Sequence, residues 1–182
     1  MKSILLIICI ILSFYLISMF GSCSSLIATQ GGINSAEEYV CLPCGSECDK
    51  ILFHNEGICA KCHMPKVKKS TVTFTTLEPS NICAYMHTHP NLLLLDVRTK
   101  EEYERDMQFN GVISPRRINI PLQELNSRFY EINNLKDSSI LVYCSHSHRS
   151  PQASYLLGQH GFSRIINMNG GLSALSDTTC FK

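Results

Sequence analysis

Charge is what this chain of 182 residues has least of: 17% of its side chains are Asp, Glu, Lys or Arg, and the formal net charge is +1. A hydrophobic content of 45% beside so little charge excludes an intrinsically disordered chain. The missing basic excess excludes a nucleic-acid binder that works through a broad positive field, so no nucleic-acid partner is expected. The length excludes two large domains and leaves room for one ordinary domain with extras. Cysteine, by contrast, is abundant. There are ten, with seven histidines, and five of the ten fall between Cys41 and Cys62. A disulfide framework spreads its bridges through a small secreted domain, whereas this clustering points to a local metal site.

No charged residue stands between Lys2 and Glu37. The apolar or small run from Ile4 to Phe20 is 17 residues long, long for a signal-peptide core and at the lower limit of a membrane-spanning helix. Lys2 holds the N-terminus inside, so either reading carries the rest of the chain across a membrane. Phe20-Gly21-Ser22-Cys23 resembles a bacterial lipobox, in which the chain is cleaved before a cysteine that is then lipidated; Phe20 stands where that pattern has Leu or Val. The expectation is a signal peptide or membrane anchor over 1–23, with lipidation at Cys23. It places the protein in the cell envelope, membrane-anchored on the extracytoplasmic side as a periplasmic lipoprotein. An uncleaved anchor and a plain secretory signal are the other two readings. Residues 24–36, rich in Ser, Gly, Thr, Gln and Asn, read as a flexible tether.

Residues 37–68 form a small module. Cys41-Leu-Pro-Cys44 and Cys59-Ala-Lys-Cys62 are two Cys-x2-Cys pairs separated by 14 residues. Two such turns complete a tetrahedral thiolate site suited to a structural zinc, which supplies folding energy that so short a segment lacks. Cys48, His54 and His63 are further candidates that can replace one of the four, and disulfides are the competing reading. The segment from Tyr39 to Pro65, ending in Cys59-Ala-Lys-Cys62-His-Met64, also resembles the short heavy-metal-binding domains of envelope metal-resistance proteins. A zinc-ribbon-like module is favoured over a metal carrier.

From residue 70 to 182 the pattern alternates between strand and helix. Thr71–Phe74 is expected as a short edge strand, and Leu92–Val97 as a strand buried on both faces. Thr99 and Glu102 have the capping-box spacing, so a helix begins there and runs toward Arg105. Arg117–Ile120 is a further strand and Leu122–Phe129 a helix. Ser139–Tyr143 is a second buried strand, Ser150 with Pro151 opens a helix that Gly161 stops, and Arg164–Met168 is the last strand before a turn at Gly170-Gly171. Met86-His-Thr-His89 is a further metal candidate, but Pro90 and Asn91 favour a loop there. The order implies an α/β fold with a mostly parallel sheet covered on both sides.

In such sheets chemistry collects where a strand ends and a helix begins. That junction here is Cys144-Ser145-His146-Ser147-His148-Arg149. A thiol at this place meets converging backbone N–H groups, the positive end of the helix dipole and Arg149, each of which favours the thiolate. Five polar residues in a row also argue against a cysteine that merely fills core space.

Residues 71–175 resemble a single-domain rhodanese of the sulfurtransferase family. Leu95-Asp-Val-Arg98 with Glu101-Glu-Tyr103, Asn119-Ile-Pro121, the loop from Cys144 to Arg149 and Asn169-Gly-Gly171 carry the resemblance, in that order. It implies a five-stranded parallel sheet between helices, with Cys144 as the nucleophile that carries sulfur as a persulfide. Substrate would be cradled by Ser145, His146, Ser147, His148 and Arg149, while Asp96 and Arg98 brace the loop. The chain departs from the family in the longer segment Asp106–Pro115, in Leu175 where Trp is usual and in Ser147 where Gly is common. Four residues divide Cys144 from Arg149, whereas related phosphatases and arsenate reductases have five. The smaller ring is of the size the family uses for sulfur and should exclude phosphate, which disfavours phosphatase or arsenate reductase activity.

The implied activity is transfer of sulfane sulfur from a small donor anion, thiosulfate or polysulfide, to cyanide, a thiol or a protein acceptor. The alternative is a non-catalytic envelope module that binds metal or sulfur through Cys144, His146, His148 and the cysteine cluster. Cys83 and Cys180 are either free, bridged to each other, or resolving thiols for the persulfide.

Overall fold

The computed structural model describes residues 37–105 and 116–176. The expectations for residues 1–23 and 24–36, for lipidation at Cys23, for Asp106–Pro115 and for Cys180 lie outside the described residues. All described residues belong to one compact unit that spans Ala36–Lys182. Among them, no helix is long and apolar enough to cross a membrane.

The first sheet is small. Strands β1 (Tyr39–Cys41), β2 (Gly57–Ile58) and β3 (Pro65–Lys68) are ordered β1-β3-β2, both pairs antiparallel. Few side chains in this module are apolar and buried. Leu42, Met64 and the cysteines Cys41, Cys44, Cys48 and Cys59 are its interior, and they join the same buried cluster as Leu95 and Val142 of the larger sheet.

The second sheet holds β4 (Thr75–Leu77), β5 (Leu93–Asp96), β6 (Arg117–Asn119), β7 (Ser139–Tyr143) and β8 (Arg164–Met168). Its order is β4-β8-β7-β5-β6, and each neighbouring pair is parallel. The expected five-stranded parallel sheet is therefore present. Both faces are buried because alternate residues of the central strands feed two cores. Leu93, Leu95, Ile140, Val142 and Ile165 face one, while Leu94, Leu141, Tyr143, Ile166 and Met168 face the other. Helix α1 (Ile82–Thr88) covers the second core with Ile82 and Met86, one helical turn apart. Helices α2 (Lys100–Arg105), α3 (Leu125–Arg128) and α4 (Arg149–Gln159) complete the described helices. Leu125 of α3 and Ala153 and Leu157 of α4 pack into the first core.

Three local expectations are corrected. The edge strand is Thr75–Leu77 rather than Thr71–Phe74. Lys69–Thr71 instead forms a tight turn in which Thr71 Oγ1 donates to the Lys68 carbonyl, and Phe74 turns into the core. Met86, His87 and Thr88 belong to α1 rather than to a loop, and the chain leaves helical geometry only at His89, before Pro90. Helix α4 starts at Arg149, ahead of the Ser150-Pro151 signal. Proline is tolerated there because the first amides of a helix have no intrahelical acceptor to lose.

Chain direction locates the site. From β5 the chain passes to β6 on one side, and from β7 it passes to β8 on the other. The carboxyl ends of β5 and β7, where Asp96 lies opposite Tyr143, thus form the topological switch point at which α/β sheets open a crevice.

Candidate active site

Cys144 follows the last residue of β7, and α4 begins five residues later. It is a free thiol and only 1% exposed. Burial pushes this thiol up, but opposing hydrogen bonds outweigh it and leave the group below its ordinary value. Those bonds come from the Ser150 hydroxyl and from the backbone N–H groups of Ser150, Arg149 and His146. Ser150 Oγ lies 3.5 Å from the sulfur. A ring of donors around a water-excluded sulfur stabilises added negative charge on it far better than solvent would.

The loop residues divide by role. Ser145 Oγ donates to Glu102 Oε1 at 3.0 Å, and Arg149 Nη2 donates to the same oxygen at 2.8 Å and to Ser145 Oγ at 3.3 Å. Arg149 is therefore an ion-paired brace rather than a bare cation over the sulfur, and its backbone N–H is what reaches Cys144. His146 and His148 are exposed on the loop's outer side. Ser147 is buried, its backbone is left-handed at φ +64°, and its hydroxyl has no hydrogen-bond partner among the described residues. A glycine at this position would remove both the backbone strain and the orphaned hydroxyl.

Behind the loop, the turn at Gly170-Gly171 serves as a backstop. Leu172 N–H donates to the Cys144 carbonyl at 2.9 Å and Ser173 N–H to the Ser145 carbonyl at 3.0 Å. Gly171 permits that approach: at φ +64°, a Cβ there would lie 2.5 Å from the Cys144 oxygen. Beneath it, Asp96 and Arg98 form a buried pair in which Arg98 Nη2 donates to Asp96 Oδ2 at 2.7 Å and Arg98 Nε to Oδ1 at 3.0 Å. Asn119 Nδ2 donates to the carbonyls of Asp96 and Arg98, both at 3.0 Å, which ties β6 to the end of β5. Asp96 and Arg98 pair with each other at the carboxyl end of β5.

A family model of the rhodanese-like domain matches residues 83–178, more than half of the chain. The chain belongs to the rhodanese-like domain family. It is 33% identical over 84 residues to a sulfurtransferase of Allochromatium vinosum, covering 46% of this chain and 71% of that protein. It is 32% identical over 76 residues to the thiosulfate sulfurtransferase PspE of Escherichia coli, covering 42% of this chain and 67% of that protein. Over 82 residues it is 37% identical to a "Probable molybdopterin-synthase adenylyltransferase" of Porphyra purpurea, covering 45% of this chain and 20% of that protein. The chain thus spans about a fifth of the length of the two such adenylyltransferases that it matches.

Two residues of the rhodanese site escape the sequence reading in their full role. Ser150 reads as a helix cap, but its side chain is buried against Cys144. Glu102 reads as half of a capping box, and the box is indeed made: Thr99 N–H donates to Glu102 Oε2 at 3.0 Å and Glu102 N–H to Thr99 Oγ1 at 3.3 Å. The same carboxylate also anchors the loop from Cys144 to Arg149 through Arg149 and Ser145. The Arg149 guanidinium holds the Glu102 carboxyl well below the usual carboxylate range. A lowered pKa means the brace contributes fully above the ordinary glutamate value of about 4.3 and is lost as pH falls through the folded value. The side chains are 23% and 29% exposed, so solvent screens part of the effect. Glu102→Gln should lower stability at pH 7 by about 1 kcal/mol in urea titration, with the difference from wild type vanishing in strong acid.

The cysteine cluster of this chain lies in the small sheet. Sγ atoms of Cys41, Cys48, Cys59 and Cys62 all lie within 4.8 Å of one another. Such a set has the donors and spacing that a soft metal ion takes. Cys44 is not in it. The structure puts Cys48 in the fourth place and groups Cys44 with Cys48 and Asp49. Backbone N–H groups of Cys62 and Lys61 point at the Cys59 sulfur, as in a tight Cys-x2-Cys turn. His54 and His63 are exposed. Neither cluster of potential metal ligands among the described residues includes Cys144, His146 or His148. Cys83 is disulfide-bonded, whereas Cys41, Cys44, Cys48, Cys59, Cys62 and Cys144 are free thiols.

Proposed function

We propose that this rhodanese is a sulfurtransferase that moves sulfane sulfur from a small anionic donor, thiosulfate or a polysulfide, to a thiophilic acceptor. The acceptor is cyanide, a low-molecular-weight thiol or a protein thiol. One observation carries the reading: the sulfur of Cys144 sits in a water-excluded ring of N–H and O–H donors that lowers its pKa despite burial. Relatives named as sulfurtransferases support it.

The reaction balances without an outside oxidant. The Cys144 thiolate attacks the outer sulfur of thiosulfate, the donor's S–S bond breaks and sulfite departs with the electron pair. Cys144 is left as a persulfide, whose terminal sulfur carries charge toward the amides of His146, Arg149 and Ser150. An acceptor thiolate or cyanide then attacks that terminal sulfur, and the Cys144 thiolate returns. Exposed His146 and His148 stand on the outer side of the loop, where their protonated forms would attract an anionic donor.

Incubating the full chain with thiosulfate, and separately with polysulfide, in the presence of cyanide tests this. Thiocyanate should accumulate over many turnovers, and the rate should hold down to pH values below the ordinary thiol pKa of about 8.5. No thiocyanate from either donor rejects the reading.

The cation we assign to the four-sulfur cluster is zinc, in a folding role. Support comes from the thiolate donor set and from a module whose own apolar interior is little more than Leu42 and Met64.

A further inference from the structure

The spacing of the cysteines nominates Cys44 as the fourth ligand of the small sheet's metal site. The packing does not. Resting on the zinc reading above, we propose that Cys41, Cys48, Cys59 and Cys62 coordinate the cation, and that Cys44 is a fifth thiol outside the coordination set, fastened to Asp49.

Geometry separates the two cysteines. A tetrahedral zinc site with Zn–S bonds near 2.3 Å has S···S edges of roughly 3.8 Å. The four sulfurs of Cys41, Cys48, Cys59 and Cys62 already lie within 4.8 Å of each other, so a small contraction closes the cage. Cys44 Sγ lies 3.8 Å from Cys48 Sγ, but the four-sulfur group does not contain it. Its other neighbours are Ser46, whose hydroxyl and backbone N–H point at the sulfur, and the Asp49 carboxylate, whose Oδ1 is 3.3 Å from Cys44 Sγ. That carboxylate also accepts the amide N–H of Cys44, at 3.0 Å to Oδ2, and of Gly45, at 2.8 Å.

Asp49 therefore folds the Cys44-Gly45 turn around itself, and Gly45, at φ +80°, makes the turn possible. The turn ends beside Asn169, whose Oδ1 lies 4.0 Å from where a Gly45 Cβ would stand. Cys48 comes from a separate local element. It lies in the short 3-10 turn Glu47–Lys50 and is the only buried residue of that turn. This arrangement gives Cys44 and Cys48 different jobs. Cys48 completes the metal cage, while Cys44 and Asp49 hold the outer turn in place against it.

Cobalt(II) is the probe. The full chain, reduced and stripped of metal with a chelator, is titrated with Co2+ and followed by its d–d and thiolate-to-cobalt charge-transfer absorption, then with Zn2+ as competitor. Wild type should take up one equivalent with the spectrum of a tetrahedral four-thiolate site. Cys44→Ser should leave stoichiometry and spectrum unchanged. Cys48→Ser should lose about a quarter of the charge-transfer intensity and bind on the order of 100-fold more weakly, the share of one ligand in four. Cys48→His, which keeps a fourth donor, should bind one cobalt with a three-thiolate spectrum, so the result does not depend on the serine variant folding. If Cys44→Ser loses intensity while Cys48→Ser does not, or if both lose it equally, the ligand set is overturned and the zinc reading stands. If reduced wild type binds neither metal, the zinc reading fails and this assignment fails with it.

Discussion

Cys144→Ser should lose sulfur turnover by on the order of a thousandfold or more, to the rate of the uncatalysed reaction, while the protein stays folded. Serine fills nearly the same volume at a site that is 1% exposed, and the neighbouring Ser150 hydroxyl still offers it a hydrogen-bond partner. Stability should therefore change by no more than about 1 kcal/mol. Chemistry, however, is removed outright. The amides that hold a thiolate cannot ionise an alcohol whose pKa lies far higher, and an alkoxide does not form a stable bond to sulfane sulfur. Thiocyanate production and urea unfolding, measured on the same preparations, check both halves. Turnover within tenfold of wild type would show that Cys144 is not the nucleophile.

Asp96→Ala should be the most destabilising single substitution in the large sheet, by about 3–5 kcal/mol. Asp96 is 0% and Arg98 2% exposed, so the substitution removes the buried carboxylate that the Arg98 guanidinium pairs with. Several hydrogen bonds are lost at one stroke, including those from the Arg98 amide and Nε to Oδ1, at 2.9 and 3.0 Å. Many single domains have only about 5–15 kcal/mol in hand, so this variant should melt well below wild type or fail to accumulate. The damage also reaches the site. Asp96 lies opposite Tyr143, Val97 N–H donates to the Tyr143 carbonyl at 3.1 Å, and Cys144 is the next residue. Circular dichroism melts of the two proteins measure the effect, and a loss under 1 kcal/mol would show that the pair is not the brace described above.

The sequence made the centre of this molecule readable and its margins less so. Leu92–Val97 and Ser139–Tyr143 announce themselves because strands buried on both faces need unbroken apolar runs, and both are central strands of the sheet. Cys144 is readable because polar loop residues after such a strand have no place in a core. The edge strand was misplaced because Val72 and Phe74 alternate like strand residues, whereas pairing with Ile166–Met168 selects Thr75–Leu77. Helix α1 is hard to read because it fully buries only Ile82 and Met86, too short a stripe to show a period.

Tertiary partners were hidden for a different reason. Glu102 and Arg149 are 47 residues apart, and a local capping signal fully accounts for Glu102 without its second task. Likewise, Cys-x2-Cys spacing speaks only about neighbours along the chain. It did not weigh the turn at Glu47–Lys50 that carries Cys48 into the sulfur cluster, nor the carboxylate of Asp49 that takes up Cys44. Within the site loop, Arg149 directs a backbone N–H at the sulfur, while its guanidinium pairs with Glu102, a partner that loop sequence alone does not name.

Intact-mass and peptide mass spectrometry after brief exposure of the full chain to thiosulfate tests the central claim most directly. The account predicts a gain of one sulfur atom per chain, located on the peptide that carries Cys144, removed by cyanide and absent from Cys144→Ser. Sulfur found instead on the cysteines of the small sheet, or no added mass on a fully reduced and folded protein, would contradict it.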